Sequence, residues 1–484
     1  MIEILTDDTL LEVFDFYRLH AMKVARGRPW KWKCLAHVCR RWRHILSNSP
    51  RRLDLQIIFK SRAPMGSILD SWPRLPMVIR YNAGQNPRLK DVNNIIVALR
   101  YRDRVREIDL GVTNSVLGSM AEVIQDPFPA LERIRLKSSS EATASQSVLP
   151  STSLGGSAPR LHTIQLDGIS FRLPVLRQLL LSANGLVKLD LVNIPSMAWF
   201  SPEDFATGLS TLPQLRHLRL LFNSPTSRPP PNSILRPHQA RVTLPSLTLL
   251  KFHGASDYLE GLVSRINLPV LRTIFVKLFN QLDFEIPHFC EFIGRVDALR
   301  SPTEVVVNRD EREVEVTLTQ LGKHQRILGE LLLVISSKQL DWQLSSTAQI
   351  FSQLSPFLSS VGSLTIGKPR IWLSEHLPTR MEDDVDSTQW LELFQPFDGV
   401  GLVHVAEEYV QDVAQALGTV SGDMSMGVLP VLSTLTLEGY YKYASVKEAV
   451  ELFVDTCRRS GRRISFKACT IEKDPLIAIR FVDL

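Results

Sequence analysis

The sequence has few cysteines, no long apolar run and none of the short motifs of common enzymes. Its five cysteines in 484 residues include no C-x-x-C pair, which predicts reduced thiols. No stretch reaches the roughly 18 consecutive apolar residues of a membrane helix. The amino terminus also carries acidic residues where a signal peptide needs basic ones. We therefore expect an intracellular protein, cytoplasmic or nuclear, with no membrane partner.

The motifs that bind nucleotides or activate nucleophiles are also absent. We find no GxxxxGK[ST], GxGxxG, GxSxG or HExxH. No His/Asp/Ser or Cys/His set occurs in a context that would bring its members together. The sequence therefore predicts no catalytic residue, no cofactor and no enzymatic activity, and it favours a protein-binding role.

Positive charge is concentrated at one end of the chain. Residues 1–62 contain 13 Lys or Arg and 6 Asp or Glu, whereas the remainder contains 43 basic and 44 acidic residues. Such a basic end could bind nucleic acid, but no zinc finger or aromatic-plus-glycine strand accompanies it. We expect no nucleic-acid partner and interpret Arg40, Arg41 and Arg43 as a solvated face or the rim of a contact.

Two amphipathic helices are predicted in the first 50 residues. Thr6 can cap the first helix, whose opening turn carries Asp7 and Asp8 at the positive end of the helix dipole. That helix must end within the basic linker RLHAMKVARGRPWKWK. The next stretch, KCLAHVCRRWRHIL, predicts one helix that Pro50 stops. Its apolar stripe consists of Leu35, Val38, Cys39, Trp42, Ile45 and Leu46.

The second of these stretches also contains Cys34, His37, Cys39 and His44, which are residue types that bind metals. A zinc site needs four ligands that converge tetrahedrally. On a single helix Cys34 and Cys39 point about 140° apart, so they cannot converge. We therefore expect no metal and interpret Cys39 as a small core residue.

Beyond about residue 100 apolar residues recur three and then two positions apart, usually after a turn that contains proline. Seven copies follow at intervals of 24 to 32 residues: VREIDL, LERIRL, LHTIQL, LVKLDL, LRHLRL, LTLLKF and LRTIFV. Three weaker copies, VGSLTI, VGLVHV and LSTLTL, return after residue 355. Because so small a unit cannot bury its own apolar face, the units must stack, which predicts a leucine-rich-repeat-like solenoid.

The predicted fold class is α/β, with a small all-α head followed by an irregular solenoid. The predicted segments are a helical head at 1–55, a connecting segment at 56–100, a first solenoid part at 101–280, an irregular segment at 281–355 and a carboxy-terminal solenoid part at 356–484. Some other α/β arrangement remains open, because the asparagine that usually follows the strand of this repeat is mostly absent.

The head closely resembles an F-box over about residues 4–55, where LLEVF is followed by the specific combination V-C-R-R-W. The body, with LDWQLSSTAQIFSQLSP and STQWLELFQPF, is similar to the large group of mushroom-fungus F-box proteins with irregular leucine-rich repeats. The resemblance implies the substrate-recognition subunit of an SCF-type cullin-RING ubiquitin ligase. Its F-box would dock on a Skp-family adaptor, and its solenoid would hold the protein to be ubiquitylated.

Carried over by position, the resemblance implies ten adaptor-contacting residues, several of which must also form the core of the F-box. They are Leu5, Leu10, Leu11, Val13, Phe14, Leu35, Val38, Cys39, Trp42 and Ile45. Two features differ from the usual F-box pattern. Thr6 stands where proline usually follows the first leucine, and the linker between the two helices is longer than in the common form.

A candidate cargo-binding face follows from the strands. Residues that alternate with the apolar ones are expected on the concave side, where seven bases oppose two acids between Leu131 and Lys277. The candidate face comprises Arg133, Arg135, Lys137, Lys188, His217, Arg219, Lys251 and Lys277. Clustered Arg and Lys bind phosphate and carboxylate, so we expect an acidic or phosphorylated cargo segment. Chance placement of charges on a solvated face is the alternative.

A leucine-rich-repeat scaffold that acts outside any ligase is the competing functional interpretation. In either case two short helices cannot build an independent core, so the apolar side of the head needs burial elsewhere. A partner surface would supply that burial. The sequence does not distinguish the ligase subunit from the scaffold, and it does not identify the cargo.

Overall fold

The computed structural model describes residues 4–24, 33–49, 57–59, 75–82, 88–138, 148–149, 153–223, 241–279, 285–309, 313–336, 340–367, 387–419, 428–440, 444–470 and 480–483. The architecture is mixed α/β and is built mainly on parallel strands, as predicted. The chain divides into two compact units, Met1–Ala198 and Trp199–Leu484. This division falls inside the segment that we predicted as the first solenoid part.

The head lies at the start of the first unit. Its helices are α1 (Asp7–Val24), α2 (Lys33–Ala36) and α3 (Arg40–Asn48). Thr6 begins α1 as predicted, because its Oγ1 accepts a hydrogen bond from the Thr9 N–H at 3.3 Å. Helix α1 ends within the basic linker and α3 ends before Pro50, both as predicted.

The predicted single helix over KCLAHVCRRWRHIL is wrong, because the chain breaks between α2 and α3. Cys39 has an extended backbone (φ −157°, ψ 172°), and its Sγ accepts a hydrogen bond from the Trp42 N–H at 3.5 Å. Cys39 is therefore the N-cap of α3 and is exposed, not a core residue. An N-cap needs a non-helical backbone, which apolar periodicity alone does not reveal.

The rest of the first unit is a parallel sheet with helices between its strands. The strands, in chain order and neighbour to neighbour, are β1 (Ile57–Phe59), β2 (Met77–Asn82), β3 (Val105–Val112), β4 (Arg133–Ser138), β5 (Thr163–Asp167) and β6 (Lys188–Ile194). The helices are α4 (Leu89–Leu99), α5 (Asn114–Ile124) and α6 (Leu173–Ser182). The predicted connecting segment at 56–100 therefore contributes two strands and a helix to this layer.

The second unit continues the same alternation of strand and helix. Its strands are β7 (His217–Phe222), β8 (Val242–Thr243), β9 (Leu249–Gly254), β10 (Ile266–Asn267), β11 (Thr273–Leu278), β12 (Glu304–Arg309), β13 (Glu313–Leu321), β14 (Ile327–Ser336), β15 (Ser363–Ile366), β16 (Leu402–Val405), β17 (Thr434–Glu438), β18 (Ser465–Thr470) and β19 (Arg480–Asp483). Its helices are α7 (Pro202–Leu209), α8 (Ser256–Val263), α9 (Pro287–Gly294), α10 (Leu340–Leu358), α11 (Ser387–Phe394), α12 (Val410–Gly418) and α13 (Ala444–Arg459).

The segment at 281–355, in which no repeat could be placed, contains an antiparallel meander of β12, β13 and β14. Strand β14 pairs in parallel with β11, and β12 pairs in parallel with β15. The meander thus enters the sheet in reverse order, β11-β14-β13-β12-β15. Strand β13 alternates every two residues through Val314, Val316 and Leu318, and Glu311 stands three positions before Val314, so the repeat motif does not match this strand.

The recurring motif has a local physical cause. Its first apolar residue closes a turn by donating its N–H to the carbonyl three residues earlier, as Leu131 does to Phe128 at 3.1 Å. The two following apolar residues lie on the strand and point into the core. In register across β3, β4 and β5, Ile108, Ile134 and Ile164 are at most 4 % exposed. All ten copies of the motif contribute a strand, which confirms the predicted strand positions.

Candidate functional site

The two longer helices of the head close on each other through aromatic side chains. The rings of Phe14 on α1 and Trp42 on α3 have centroids 4.7 Å apart and planes inclined by 60°. Several of the predicted adaptor contacts are buried within the chain itself: Leu10, Leu11, Phe14, Leu35 and Ile45, each at most 8 % exposed. These residues form the core of the head, and Trp42 is half-buried beside them.

The remaining predicted contacts face outward. Leu5 is 37 % exposed, Val13 is 46 % exposed and Val38 is 57 % exposed, and Cys39 is also exposed. Leucine and valine side chains that are exposed together on a small helical head indicate an interaction site. The sequence prediction missed three further exposed apolar residues nearby: Ile4, Phe16 and Tyr17.

The spacing of apolar residues along α1 could have separated the buried residues from the exposed ones. Val13, Phe16 and Tyr17 are at i, i+3 and i+4, which is a helical stripe of its own. Helical periodicity alone predicts one common face for Leu10, Val13, Phe14 and Tyr17. The structure instead buries Leu10 and Phe14 and leaves Val13 and Tyr17 exposed.

Two arginines of the head form hydrogen bonds that join its helices. The Arg41 guanidinium donates to Asp7 Oδ1 at 2.7 and 3.0 Å and to the Leu5 carbonyl at 2.6 Å. Arg43 Nε donates to the Ala36 carbonyl at 3.0 Å. Arg41 therefore ties α3 to the start of α1, and Arg43 ties α3 to α2. Both side chains also remain solvated, since Arg41 is 39 % exposed and Arg43 is exposed.

The predicted cargo-binding bases of the first unit are paired with carboxylates. Arg133 Nη1 lies 3.0 Å from Glu107 Oε2, and Arg135 Nε lies 3.9 Å from Asp109 Oδ1. The lysines at the other two positions are paired in the same way: Lys137 Nζ is 3.7 Å from Asp167 Oδ2, and Lys188 Nζ is 3.2 Å from Asp190 Oδ2. We call this set of alternating charges on β3 to β6 the charge ladder.

The sequence prediction missed the acids of β3 because its count began at Leu131. Glu107 and Asp109 alternate with the apolar residues of VREIDL, so one more copy of the motif would have included them. In register they lie opposite Arg133 and Arg135. The excess of bases that favoured anionic cargo is therefore largely neutralised on this unit.

The predicted bases of the second unit lie on three neighbouring strands, β7, β9 and β11. In register, Arg219 lies opposite Lys251, which lies opposite Phe275. The next row holds His253 opposite Lys277. We call these five residues the cationic face, and all five side chains are half-buried. His217 lies at the start of β7, in register with Leu249.

Lys251 and Lys277 have different partners. Lys277 Nζ donates to Glu313 Oε2 on β13. Lys251 Nζ lies 5.5 Å from the centre of the Phe275 ring, and among the described residues it has no carboxylate partner. Lysine over an aromatic ring gains a cation–π attraction but keeps its full charge.

His253 shows the effect of this positive charge. Burial, and after it the charge of Lys277, lower the pKa of its imidazole, while Glu313 partly opposes the shift. Its ring also packs against Phe279, with centroids 4.6 Å apart. The imidazole is therefore held closer to neutrality than a solvated histidine, and it adds a flat, weakly polar surface beside Lys277.

Comparison with known proteins adds no assignment. A scan against protein-family models found no match to this chain, and a search of curated proteins also found none.

The arrangement can bind a partner by apolar contact at the head and by charge at the sheet. In the part of the chain that the structure describes, no three metal-ligating side chains converge on one point. In the same residues, no helix has the length and apolar character to cross a membrane.

Proposed function

We propose that this chain is a substrate-recognition adaptor subunit of an SCF-type cullin-RING ubiquitin ligase. Its head resembles an F-box and would dock on a Skp-family adaptor. Its body, an irregular leucine-rich-repeat solenoid in this proposal, would hold the protein to be ubiquitylated. The ten repeat motifs, each of which contributes a strand, support that description of the body.

The observation that carries the proposal is the division of apolar residues in the head. Phe14 packs against Trp42, and Leu10, Leu11 and Phe14 are buried within the chain itself. Leu5, Val13 and Val38 nevertheless keep more than a third of their surface exposed. Burying such side chains contributes about 25 cal/mol per Å² of apolar area, which favours a partner that covers them.

The test is recovery of the Skp-family adaptor and cullin with the purified, tagged full chain from cell extract. We expect recovery with the wild-type chain and loss with Val13→Glu and Val38→Glu, because a buried unpaired carboxylate opposes docking. Both side chains are exposed, so both variants should keep the folded head. Phe14→Ala is a poor test, because removing a buried ring unfolds the head whatever its partner.

Val431→Glu is the matched control, since Val431 is 53 % exposed and lies outside the head. This variant should recover the adaptor and cullin like the wild type. Loss of recovery in all three variants would indicate a general effect of surface charge and would contradict the assigned docking surface.

The alternative is a leucine-rich-repeat scaffold that acts outside any ligase, and the exposed stripe of α1 favours it equally. The two functions differ in what the intact head recovers. A folded head that binds neither adaptor nor cullin in the wild-type chain would exclude the ligase subunit and favour the scaffold.

A further inference from the structure

We infer that the cationic face of the second unit, and not the charge ladder of the first, holds an acidic peptide segment of the bound protein. The expected segment carries a carboxylate or phosphate next to an apolar or aromatic side chain. This inference rests on the proposed function only in treating that protein as cargo.

Two bases lie side by side on the cationic face. Arg219 on β7 and Lys251 on β9 are directly opposite each other in register. Because neighbouring strands are only about 4.8 Å apart, an anionic group bound at Lys251 would also lie close to the positive charge of Arg219.

The two charged surfaces differ in the carboxylates that already neutralise their bases. On the charge ladder, Arg133 is 3.0 Å from a carboxylate that is in register with it on the adjacent strand. On the cationic face, Glu313 accepts from Lys277, whereas Lys251 lies over the Phe275 ring and has no carboxylate partner among the described residues. A ligand anion would have to displace a carboxylate at Arg133, but no described carboxylate would have to be displaced at Lys251.

Apolar side chains surround Lys251 on the same face of the sheet. Phe275 lies beside Lys251 on β11. Leu249 lies two residues before Lys251 on β9, and Leu221 lies two residues after Arg219 on β7. All three side chains are half-buried and on the same face of the sheet. A segment with only charges would leave this surface uncovered, so an apolar residue next to the acid fits better.

The test begins with a random dodecapeptide library displayed on phage and selected on the immobilised full chain. We expect enriched peptides to carry Asp or Glu next to an aromatic or aliphatic residue. The most enriched peptide is then labelled with fluorescein and titrated with the full chain by anisotropy. Replacing its acidic residue by phosphoserine distinguishes the two sources of charge: tighter binding indicates phosphate, and weaker binding indicates carboxylate.

Substitutions on the cationic face and on the charge ladder test where the peptide binds. Lys251→Glu should weaken binding by about tenfold or more, because it replaces a charge-assisted contact with a repulsion. Lys251→Met keeps the alkyl stem over Phe275 and should weaken binding severalfold, which decides the matter if Lys251→Glu does not fold. Arg133→Glu is the matched control on the charge ladder and should bind the peptide like the wild type.

Several results would overturn the inference. These are selection without acidic enrichment, peptide binding that survives both changes at Lys251, and equal loss in Arg133→Glu. Binding of a 12-nucleotide polyuridylate in place of the peptide, lost on Lys251→Glu, would assign the face to nucleic acid instead. Recovery of the adaptor and cullin by the same variants is measured separately, so failure of the head and failure of this face are distinguishable.

Discussion

Glu107 on β3 and Arg133 on β4 lie in register, and Arg133 Nη1 donates to Glu107 Oε2 at 3.0 Å. The other carboxylate oxygen of Glu107 accepts from Arg80 Nη2 on β2, also at 3.0 Å. Only 12 % of the Glu107 side chain is exposed, while both arginines remain substantially solvated. One carboxylate thus joins three strands of the first unit.

Replacing Glu107 with Gln should loosen this part of the sheet. The change keeps the shape of the side chain but removes the charge that both arginines share, and we expect a local loss of about 1 kcal/mol. Hydrogen exchange of the β3 and β4 amides measures it, and the loss should be smaller at high salt. Asp297→Asn is the control, because Asp297 is 82 % exposed and pairs with Arg300 in its own turn. Unchanged exchange in Glu107→Gln would mean that the ladder does not stabilise the sheet.

Cys39→Ser should stabilise α3, whereas Cys39→Val should destabilise it. Serine is among the best N-cap residues and valine among the poorest, with about 1 kcal/mol between them. Amide exchange in Arg40–Asn48 reports the difference. If Cys39 were instead a core residue, valine would be tolerated and serine would be the harmful change, so the order of the two variants distinguishes the interpretations.

Gly329→Ala should destabilise the second unit strongly. A Cβ at this position would lie 1.8 Å from the Ala298 carbonyl oxygen, a backbone atom that cannot rotate away. Overpacking of this kind costs about 1–3 kcal/mol and should lower the melting temperature measured by circular dichroism. Gly118→Ala is the opposite case: nothing lies within 4 Å of the new methyl group in α5, and alanine favours a helix. A lower melting temperature for Gly118→Ala as well would contradict this explanation.

Cys290 should react slowly with iodoacetamide at pH 8. Burial, with a smaller contribution from Glu260, raises the pKa of its thiol to about 11. Only about one molecule in a thousand then carries the reactive thiolate at pH 8, and the fraction rises as the pH approaches 11. Mass spectrometry of the labelled native chain should show Cys34 and Cys39, which are exposed, modified before Cys290. Equal rates at the three sites would contradict the burial of the Cys290 thiol.

The positions of the repeat strands were predictable because their cause is local. A turn closed by Leu131 and an alternation through Ile134 and Leu136 involve only neighbours in sequence. The three-then-two apolar spacing recurs in all ten copies, so each strand could be placed from the letters alone. Strand β13 of the meander has a plain two-residue alternation, so the motif did not identify it.

Helical spacing identified the apolar residues of the head but did not show which of them are buried and which are exposed. Phe14 and Val13 are adjacent in sequence, yet one is 1 % and the other 46 % exposed. Which stripe becomes the core depends on where Trp42 lies, and that depends on the break at Cys39. Two neighbouring stripes on one helix cannot be separated without the partner helix.

The sequence by itself determined the mixed α/β class, the helical head, the strand positions and the residues that face away from the core. Only the tertiary structure decided which charges meet. Glu107 and Arg133 are 26 residues apart, and Lys277 and Glu313 are 36 apart. Their pairing depends on register between strands and on the reversed order of the meander, which are set by packing of the whole layer. The same packing left Lys251 over an aromatic ring without a carboxylate partner among the described residues.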